Sequence, residues 1–274
     1  KVLIFFEDCK HKKLTVLPPN INTGLYQFSV NKDSDIIYGL GAVKGAGEAA
    51  LEEIINERDQ NGEYKDLFDF CLRNDSRKVT KRVLEAWIKS GSFDVFGHNR
   101  ASLMASLSAA LQAADQHLKN KAQNQNDLFS EHEDDTSSFA PTYHDIEEWP
   151  MSQKLVFEKD SVGFYLSGHP YDQHRAEISK FTSCSIKNLD KHMDTKVLFG
   201  GLIVGLRFLK TKRGKAMGIV SIDDNTSRVD IVLFSETLED YRQYLIKDTT
   251  VIIEGEVSHD EFSGVVRVTC NRIY

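Results

Sequence analysis

The spacing of apolar residues divides the chain into a helical first part and an alternating last part. Apolar residues at every third or fourth position predict helices, which we place at 48–58, 66–72, 80–90, 98–117 and 152–166. Residues 14–22 are predicted to be extended, because Pro18 and Pro19 disfavour the helical conformation of the residues before them.

From residue 196 onward the apolar residues alternate with polar ones, which is the pattern of β-strands. Five strands are predicted, at 197–209, 216–222, 228–234, 251–258 and 265–273. A helix is predicted at 238–246, between the third and fourth strands. This order is typical of the OB-fold, a five-stranded Greek-key barrel.

Residues 118–150 follow neither pattern and consist mostly of Asn, Gln, Asp, Glu, Ser and Thr. Such a segment cannot bury enough apolar surface to form a core, so we interpret it as an acidic linker. The predicted fold class is multidomain α+β. Its parts are a preceding segment at 1–34, an all-α domain at 35–117, the linker at 118–150, a helical connector at 151–195 and the barrel at 196–274.

Composition and charge narrow the class of protein. The hydrophobic (41%) and charged (27%) fractions are those of a soluble globular protein, and no apolar run is long enough to span a membrane. The four cysteines lie too far apart for a zinc site or a disulfide framework, so we expect reduced thiols and a cytoplasmic location. Most of the net charge of −7 belongs to residues 118–148, so the flanking parts remain compatible with nucleic-acid binding.

A glycine-rich turn at 39–47 precedes the predicted helix at 48–58. This stretch resembles a helix-hairpin-helix element, in which backbone N–H groups at a helix N-terminus bind a DNA phosphate without reading the base. The candidate phosphate-binding residues are Lys44, Gly45, Ala46 and Gly47. A packing turn between helices is the alternative, and the negative charge of Glu48 beside the turn disfavours phosphate.

A second, less regular copy of this element is predicted around 83–94, where Ser90-Gly91-Ser92 again follows an amphipathic helix. Paired elements of this kind form a compact unit that straddles the backbone of duplex DNA. The candidate phosphate contacts are Lys78, Lys81, Arg82, Lys89, Gly91 and Ser92. An ordinary solvated helix face explains these cations equally well.

Five cations and no acid occur within nine residues at the loop between the first two predicted strands of the barrel. They are Arg207, Lys210, Lys212, Arg213 and Lys215. OB-folds use this loop for oligonucleotides, so we predict contacts with single-stranded DNA, against the alternative of a solvated loop. Phe208, Phe234 or Phe262 would stack on bases, although we expect Phe234 to lie in the barrel core.

The sequence contains no recognisable set of catalytic or metal-binding residues. It has no P-loop, no nucleophile elbow and no H-E-x-x-H motif. Asp223 and Asp224 lie at a strand end, and His169 and His174 have no third ligand near them in the sequence. We therefore predict no catalytic residue, metal site or cofactor within this chain.

The linker contains a Leu-Phe pair, within Gln125-Asn126-Asp127-Leu128-Phe129. An apolar pair in a segment without a core is typical of a peptide that binds in another protein's pocket. The pentapeptide resembles the sliding-clamp-binding motif of bacterial replication proteins, Q-x-[SD]-[LM]-F. We predict that Gln125 binds at the pocket rim and that Leu128 and Phe129 fill the pocket, with Asp127 at the Ser/Asp position.

Four further strings, at 16–22, 36–48, 90–94 and 166–170, occur together with this motif. In this order they resemble the C-terminal half of the alpha-subunit family of bacterial DNA polymerase III. The resemblance implies a replicative polymerase whose Mg²⁺-dependent catalytic part precedes residue 1, where 1–34 ends its fingers region. It also implies that a domain docking the clamp-loader subunit follows residue 274.

The predicted function is accordingly a non-catalytic processivity module. It would hold duplex DNA by the hairpins, a sliding clamp by Gln125–Phe129 and single-stranded template by the barrel. Three alternatives remain open from the sequence: a scaffold of DNA repair or recombination that carries a clamp motif, a metal-dependent nuclease, and a barrel that binds only protein.

Overall fold

The computed structural model describes residues 5, 6, 8, 9, 12–75, 77–124, 142–211, 214–259 and 264–274, with only the backbone at 121–124. These residues form two compact units, Lys1–Ser167 and Gly168–Tyr274. None of the helices in these ranges is long and apolar enough to cross a membrane.

The first unit begins with a small sheet and continues with helices. Strand β1 is Val16–Leu17, β2 is Ser29–Val30 and β3 is Ile36–Ile37. The middle strand β3 pairs in parallel with β1 and antiparallel with β2. A short 3₁₀ helix, Leu40–Ala42, then leads into the glycine-rich turn.

Five α-helices follow in the described part of this unit. They are α1 Glu48–Asn61, α2 Leu67–Arg73, α3 Lys81–Ser90, α4 Arg100–Asn124 and α5 Met151–Val162. Aromatic rings from α2, α3 and the turn after α3 meet in the core, where Phe70, Trp87 and Phe93 are almost fully buried. The centroids of Phe70 and Phe93 lie 5.1 Å apart, and each lies 6.1 Å from that of Trp87.

The described residues at the two ends of the predicted linker, 118–150, continue helix α4 or pack against it. Helix α4 continues to Asn124, and residues 142–149 pack along the start of α4. The Ser106 hydroxyl accepts the His144 N–H at 2.9 Å, and the Ser102 hydroxyl accepts the Ile146 N–H at 3.0 Å. We call residues 142–149 the strap.

The predicted connector at 151–195 divides between the two units. Helix α5 belongs to the first unit, where a buried ion pair holds it. The Arg100 guanidinium donates to Glu158 on α5 at 2.9 Å, and the two side chains are 5% and 0% exposed. The same guanidinium binds Asp94 at 2.8 Å, while the other Glu158 oxygen accepts the N–H groups of Leu166 and Ser167.

The second unit is a closed five-stranded barrel, which confirms the predicted OB-fold. Its strands are β4 Lys196–Lys210, β5 Ala216–Asp223, β6 Arg228–Leu233, β7 Thr250–His259 and β8 Val266–Ile273, in the order β4-β5-β6-β8-β7. Parallel pairing of β6 with β8 and antiparallel pairing of β4 with β7 close the barrel. Helices α6 Asp172–Ile178 and α7 Ser235–Tyr241 complete the unit.

We predict that Glu158→Ala lowers the free energy of unfolding of the first unit by about 3 kcal/mol, because it leaves a buried arginine half-paired. Urea unfolding followed by tryptophan fluorescence measures this, since both tryptophans, Trp87 and Trp149, lie in the first unit. The matched control is Asp160→Ala, an exposed acid on the same helix, which should shift the value by less than about 0.5 kcal/mol. Equal effects of the two variants would contradict a structural role of the ion pair.

Candidate nucleic-acid interface

The first hairpin is a glycine turn that starts helix α1. Gly45 has φ 88°, a left-handed conformation that glycine adopts without strain. The Lys44 side chain is exposed, whereas its N–H donates to the Ser161 carbonyl at 2.8 Å and the Ala46 N–H turns back to Val43 at 3.3 Å. The turn is thus fixed against α5.

The first turn of α1 is open. The Leu51 N–H is the first to bond within the helix, to the Gly47 carbonyl at 3.1 Å. The three preceding N–H groups, those of Glu48, Ala49 and Ala50, have no hydrogen-bond acceptor among the described residues, and no side chain caps the helix. These groups point out of the helix end and can bind an anion.

The second hairpin repeats this geometry at Gly97. Its φ is 76°, and Asn99 precedes α4 as Gly47 precedes α1. The Leu103 N–H is bonded to the Asn99 carbonyl at 3.0 Å, which matches the bond of Leu51 in the first hairpin. The equal spacing from glycine to buried leucine in Gly97–Leu103 and Gly45–Leu51 was the sequence signal that we missed.

The sequence had instead predicted the second hairpin at Gly91 and Ser92. These two residues end α3: their N–H groups donate to Ile88 at 3.1 Å and to Trp87 at 2.9 Å. Ser92 is fully buried, with its hydroxyl 2.8 Å from that of Ser90. Because their donors are occupied inside the unit, Gly91 and Ser92 are not available to a phosphate.

The N–H groups at the start of α4 are also occupied. The Ser102 N–H donates to the Asn99 side chain at 2.7 Å. The N–H groups of Arg100 and Ala101 donate to the Glu148 carboxylate at 3.4 and 3.2 Å. The two hairpins thus have the same backbone conformation, but only in the second are the first N–H groups of the helix bonded to side chains of the described residues.

The cations predicted for the second hairpin lie on α3 and just before it. Lys78 pairs with Glu53 at 2.6 Å, and Lys81 donates to the Ser108 hydroxyl at 3.1 Å. The Lys89 ammonium lies 4.9 Å from the centre of the Phe157 ring, and Arg82 is exposed. The Lys78–Glu53 ion pair is half exposed and therefore weak, so a DNA phosphate can replace the carboxylate as the partner of Lys78.

In the barrel, three of the five predicted cations fall on described residues. Arg207 on β4 forms an ion pair with Asp230 on β6 at 3.2 Å, and Lys210 and Lys215 flank the β4–β5 turn. Lys212 and Arg213 lie outside the described residues. The pair with Asp230 offsets one positive charge, so Lys210 and Lys215 carry the unbalanced charge at this edge.

Two aromatic rings lie near this edge of the barrel. Phe208 is 48% exposed, and the Arg242 guanidinium lies 5.3 Å from its ring centre. Phe234 is 50% exposed, so the expectation that it lies in the barrel core is wrong. Phe234 lies outside the strand, since β6 ends at Leu233 and Phe234 is the residue that precedes helix α7. Phe262 lies outside the described residues.

The predicted clamp-binding residues Gln125, Asp127, Leu128 and Phe129 also lie outside the described residues. The chain on both sides of them belongs to the first unit. Helix α4 ends at Asn124, and the Tyr143 ring packs between His98 and Phe68, with centroid distances of 3.7 and 5.3 Å.

No three His, Cys, Asp or Glu side chains come together as metal ligands within the described ranges. Asp224 is buried and accepts the N–H groups of Ile186, Thr226 and Ser227, and His169 lies 3.6 Å from Asp223. Burial raises the pKa of the thiols of Cys71 and Cys270 to about 12, so both stay protonated. These groups act in packing and in hydrogen bonding within the fold.

Comparisons with known proteins agree with the division of the chain into a helical first part and a barrel. A family model described as a helix-hairpin-helix motif matches residues 13–103, and one described as an OB-fold nucleic acid binding domain matches residues 197–274. The second OB-fold domain of replication protein A from Methanococcus maripaludis matches 33% of this chain and 93% of its own, with 17% identity and a TM-score of 0.27. That score is too low to support an argument about function.

Relatives of this chain are named DNA polymerase III subunit alpha. That of Vibrio cholerae is 39% identical over 274 residues, and that of Escherichia coli K12 is 40% identical over 276 residues. Each match covers 100% of this chain and 24% of the relative, so the chain spans about a quarter of the length of these relatives. The resemblance inferred from the sequence is confirmed: the chain belongs to the alpha-subunit family of DNA polymerase III and matches the C-terminal region of that subunit.

Proposed function

We propose that this chain keeps a replicative DNA polymerase on its template by binding duplex DNA, single-stranded DNA and a sliding clamp. The observation that carries the proposal is the open first turn of α1 in a chain whose relatives are polymerase alpha subunits. In the whole protein, DNA synthesis with Mg²⁺ would take place outside these residues. Further partners would be the rest of the cytoplasmic polymerase III holoenzyme, including the clamp-loader subunit.

Duplex DNA would bind at the first hairpin. The N–H groups of Glu48, Ala49 and Ala50 offer donors to phosphate oxygens at the positive end of the α1 dipole. Glycine at positions 45 and 47 lets the DNA backbone approach closely, since a Cβ at Gly47 would have nothing within 4 Å. Lys44 adds a charge beside the turn. The contact reads no base, as suits a protein that moves along DNA.

We predict that Lys44→Ala weakens duplex binding uniformly across sequences and lowers the slope of log affinity against log salt by about 1. Fluorescence anisotropy with labelled duplex over a salt series measures both. The control is Lys65→Ala, which removes an exposed charge beyond the far end of α1. A slope that changes equally in the two variants would assign the effect to net charge and not to the hairpin.

The clamp would bind at the acidic segment. Leu128 and Phe129 are the apolar anchor, and both flanks of the segment are fixed to the unit that carries the open hairpin. A short peptide alone binds weakly, but linkage to a DNA-bound unit raises its effective concentration near a clamp on the same DNA.

We predict that the double variant Leu128→Ala and Phe129→Ala abolishes binding of the chain to an immobilised sliding clamp in surface plasmon resonance. The matched control is Phe139→Ala, which removes an aromatic ring from the same acidic segment and should leave binding unchanged. Retention of clamp binding by the double variant would exclude this pentapeptide as the anchor.

Single-stranded DNA would bind at the β4–β5 edge of the barrel. Lys210 and Lys215, together with Lys212 and Arg213 of the sequence between them, would follow the phosphates. The half-exposed rings of Phe208 and Phe234 offer faces on which bases stack.

We predict that Phe234→Ala weakens binding of a labelled single-stranded oligonucleotide about fivefold or more, the effect expected for one lost base stack. Phe181→Ala is the control, because Phe181 belongs to the same unit, lies outside the strands and is 67% exposed. An unchanged affinity for the Phe234 variant would remove this ring from the interface.

A further inference from the structure

The carboxylate of Glu148 occupies the start of helix α4 with both of its oxygens. One oxygen, Oε1, accepts the Ala101 N–H at 3.2 Å and the Trp149 N–H at 3.0 Å. The other, Oε2, accepts the Arg100 N–H at 3.4 Å and lies 3.0 Å from the Lys154 ammonium. Two neighbouring N–H groups of a helix end thus hold the two oxygens of one anion.

This contact is supported along the whole strap. Asn99 donates its side-chain amide to the Ile146 carbonyl at 2.8 Å, and the Ser102 hydroxyl donates to the same carbonyl at 3.2 Å. The stacked rings of His98 and Tyr143 fix the other end of the strap. The position of Glu148 at α4 is therefore stabilised by these contacts of the strap as well as by the hydrogen bonds of its own carboxylate.

Glu148 remains charged in this place. Burial acts to raise its pKa, but the hydrogen bonds from Lys154 and from the N–H groups of Trp149 and Ala101 outweigh burial, so the pKa lies below its usual value. A carboxylate at the positive end of a helix dipole is further stabilised by that dipole. The start of α4 thus holds a permanent anion supplied by the chain itself.

The first hairpin has the same backbone conformation, but no carboxylate from the described residues caps its helix. Gly45 and Gly97 are both left-handed, and in each hairpin the helix begins three residues after that glycine. Phosphate and carboxylate present similar pairs of oxygens to adjacent N–H groups. At the start of α1 the free N–H groups could bind a DNA phosphate. The corresponding N–H groups of α4, those of Arg100 and Ala101, bind Glu148 instead.

We propose that Glu148 closes the second hairpin to DNA by occupying the position of a backbone phosphate, so that the unit holds the duplex backbone at the first hairpin alone. This inference rests on the proposed duplex binding at the first hairpin. Binding through a single hairpin would hold the duplex without fixing the protein at one place along the DNA.

The test measures duplex binding by the whole chain with Glu148→Ala and with Glu147→Ala as its matched control. Both variants remove one negative charge from the strap, but Glu147 is exposed and caps no helix. We expect Glu148→Ala to bind duplex DNA about threefold or more tightly than Glu147→Ala, with a salt slope steeper by about 0.9, the contribution of one added phosphate. Equal affinities and slopes for the two alanine variants would overturn the proposal.

A second variant separates occupancy from charge. Glu148→Gln fills the same position without the charge and keeps one oxygen that accepts an α4 N–H group, so its salt slope should equal that of Glu147→Ala. A slope as steep as that of Glu148→Ala would contradict closure by occupancy. Trp149 fluorescence reports whether the strap remains in place. Failure of the proposed duplex binding itself has a different signature, because Lys44→Ala would then be neutral whatever Glu148→Ala does.

Discussion

The buried ion pair between Arg100 and Glu158 determines how the first unit is assembled. Burial opposes the charge of Arg100, but the bonds to Asp94 and then to Glu158 outweigh it and raise the pKa of the guanidinium further. A buried charge is tolerated only when its hydrogen bonds are made, and here the partners come from three parts of the chain: Asp94, the Lys89 carbonyl and Glu158. The start of α4, the end of α3 and helix α5 are thereby fixed together.

Helix α5 in turn fixes the first hairpin. Its Ser161 carbonyl accepts the Lys44 N–H, so one helix holds a backbone group of the first hairpin and a side chain at the start of α4. The sequence suggested only a connector here. In the structure α5 is the element against which both hairpins are positioned, and its buried Glu158 is the partner that Arg100 requires.

One difference in sequence separates the two hairpins chemically. Gly47 has no side chain, so nothing from the turn reaches the N–H groups of α1. Asn99, at the matching position, satisfies the Ser102 N–H and anchors the strap through Ile146. The strap then brings Glu148 to the two N–H groups that remain. The asymmetry therefore follows from a glycine in one turn and an asparagine in the other.

Periodicity predicted the barrel strands and most helices, because those elements bury one face each. It failed where a residue's environment depends on distant parts of the chain. Residues 118–124 have no apolar stripe but contain good helix formers, so α4 runs past its predicted end. Glu148 lies 47 positions from Ala101 in the sequence, and no local pattern indicates that its carboxylate meets a helix end.

The two anchored flanks of the proposed clamp-binding segment limit where a clamp could be held. From Ser106 to Asn124 helix α4 rises by about 27 Å, and the residues from Asn124 to Thr142 extend at most about 60 Å. Both ends of this stretch are attached to the unit that carries the open hairpin. A clamp bound at Leu128 and Phe129, as proposed, would therefore stay within tens of ångströms of a duplex bound at the start of α1. Over such a range linkage raises the effective concentration of the second contact.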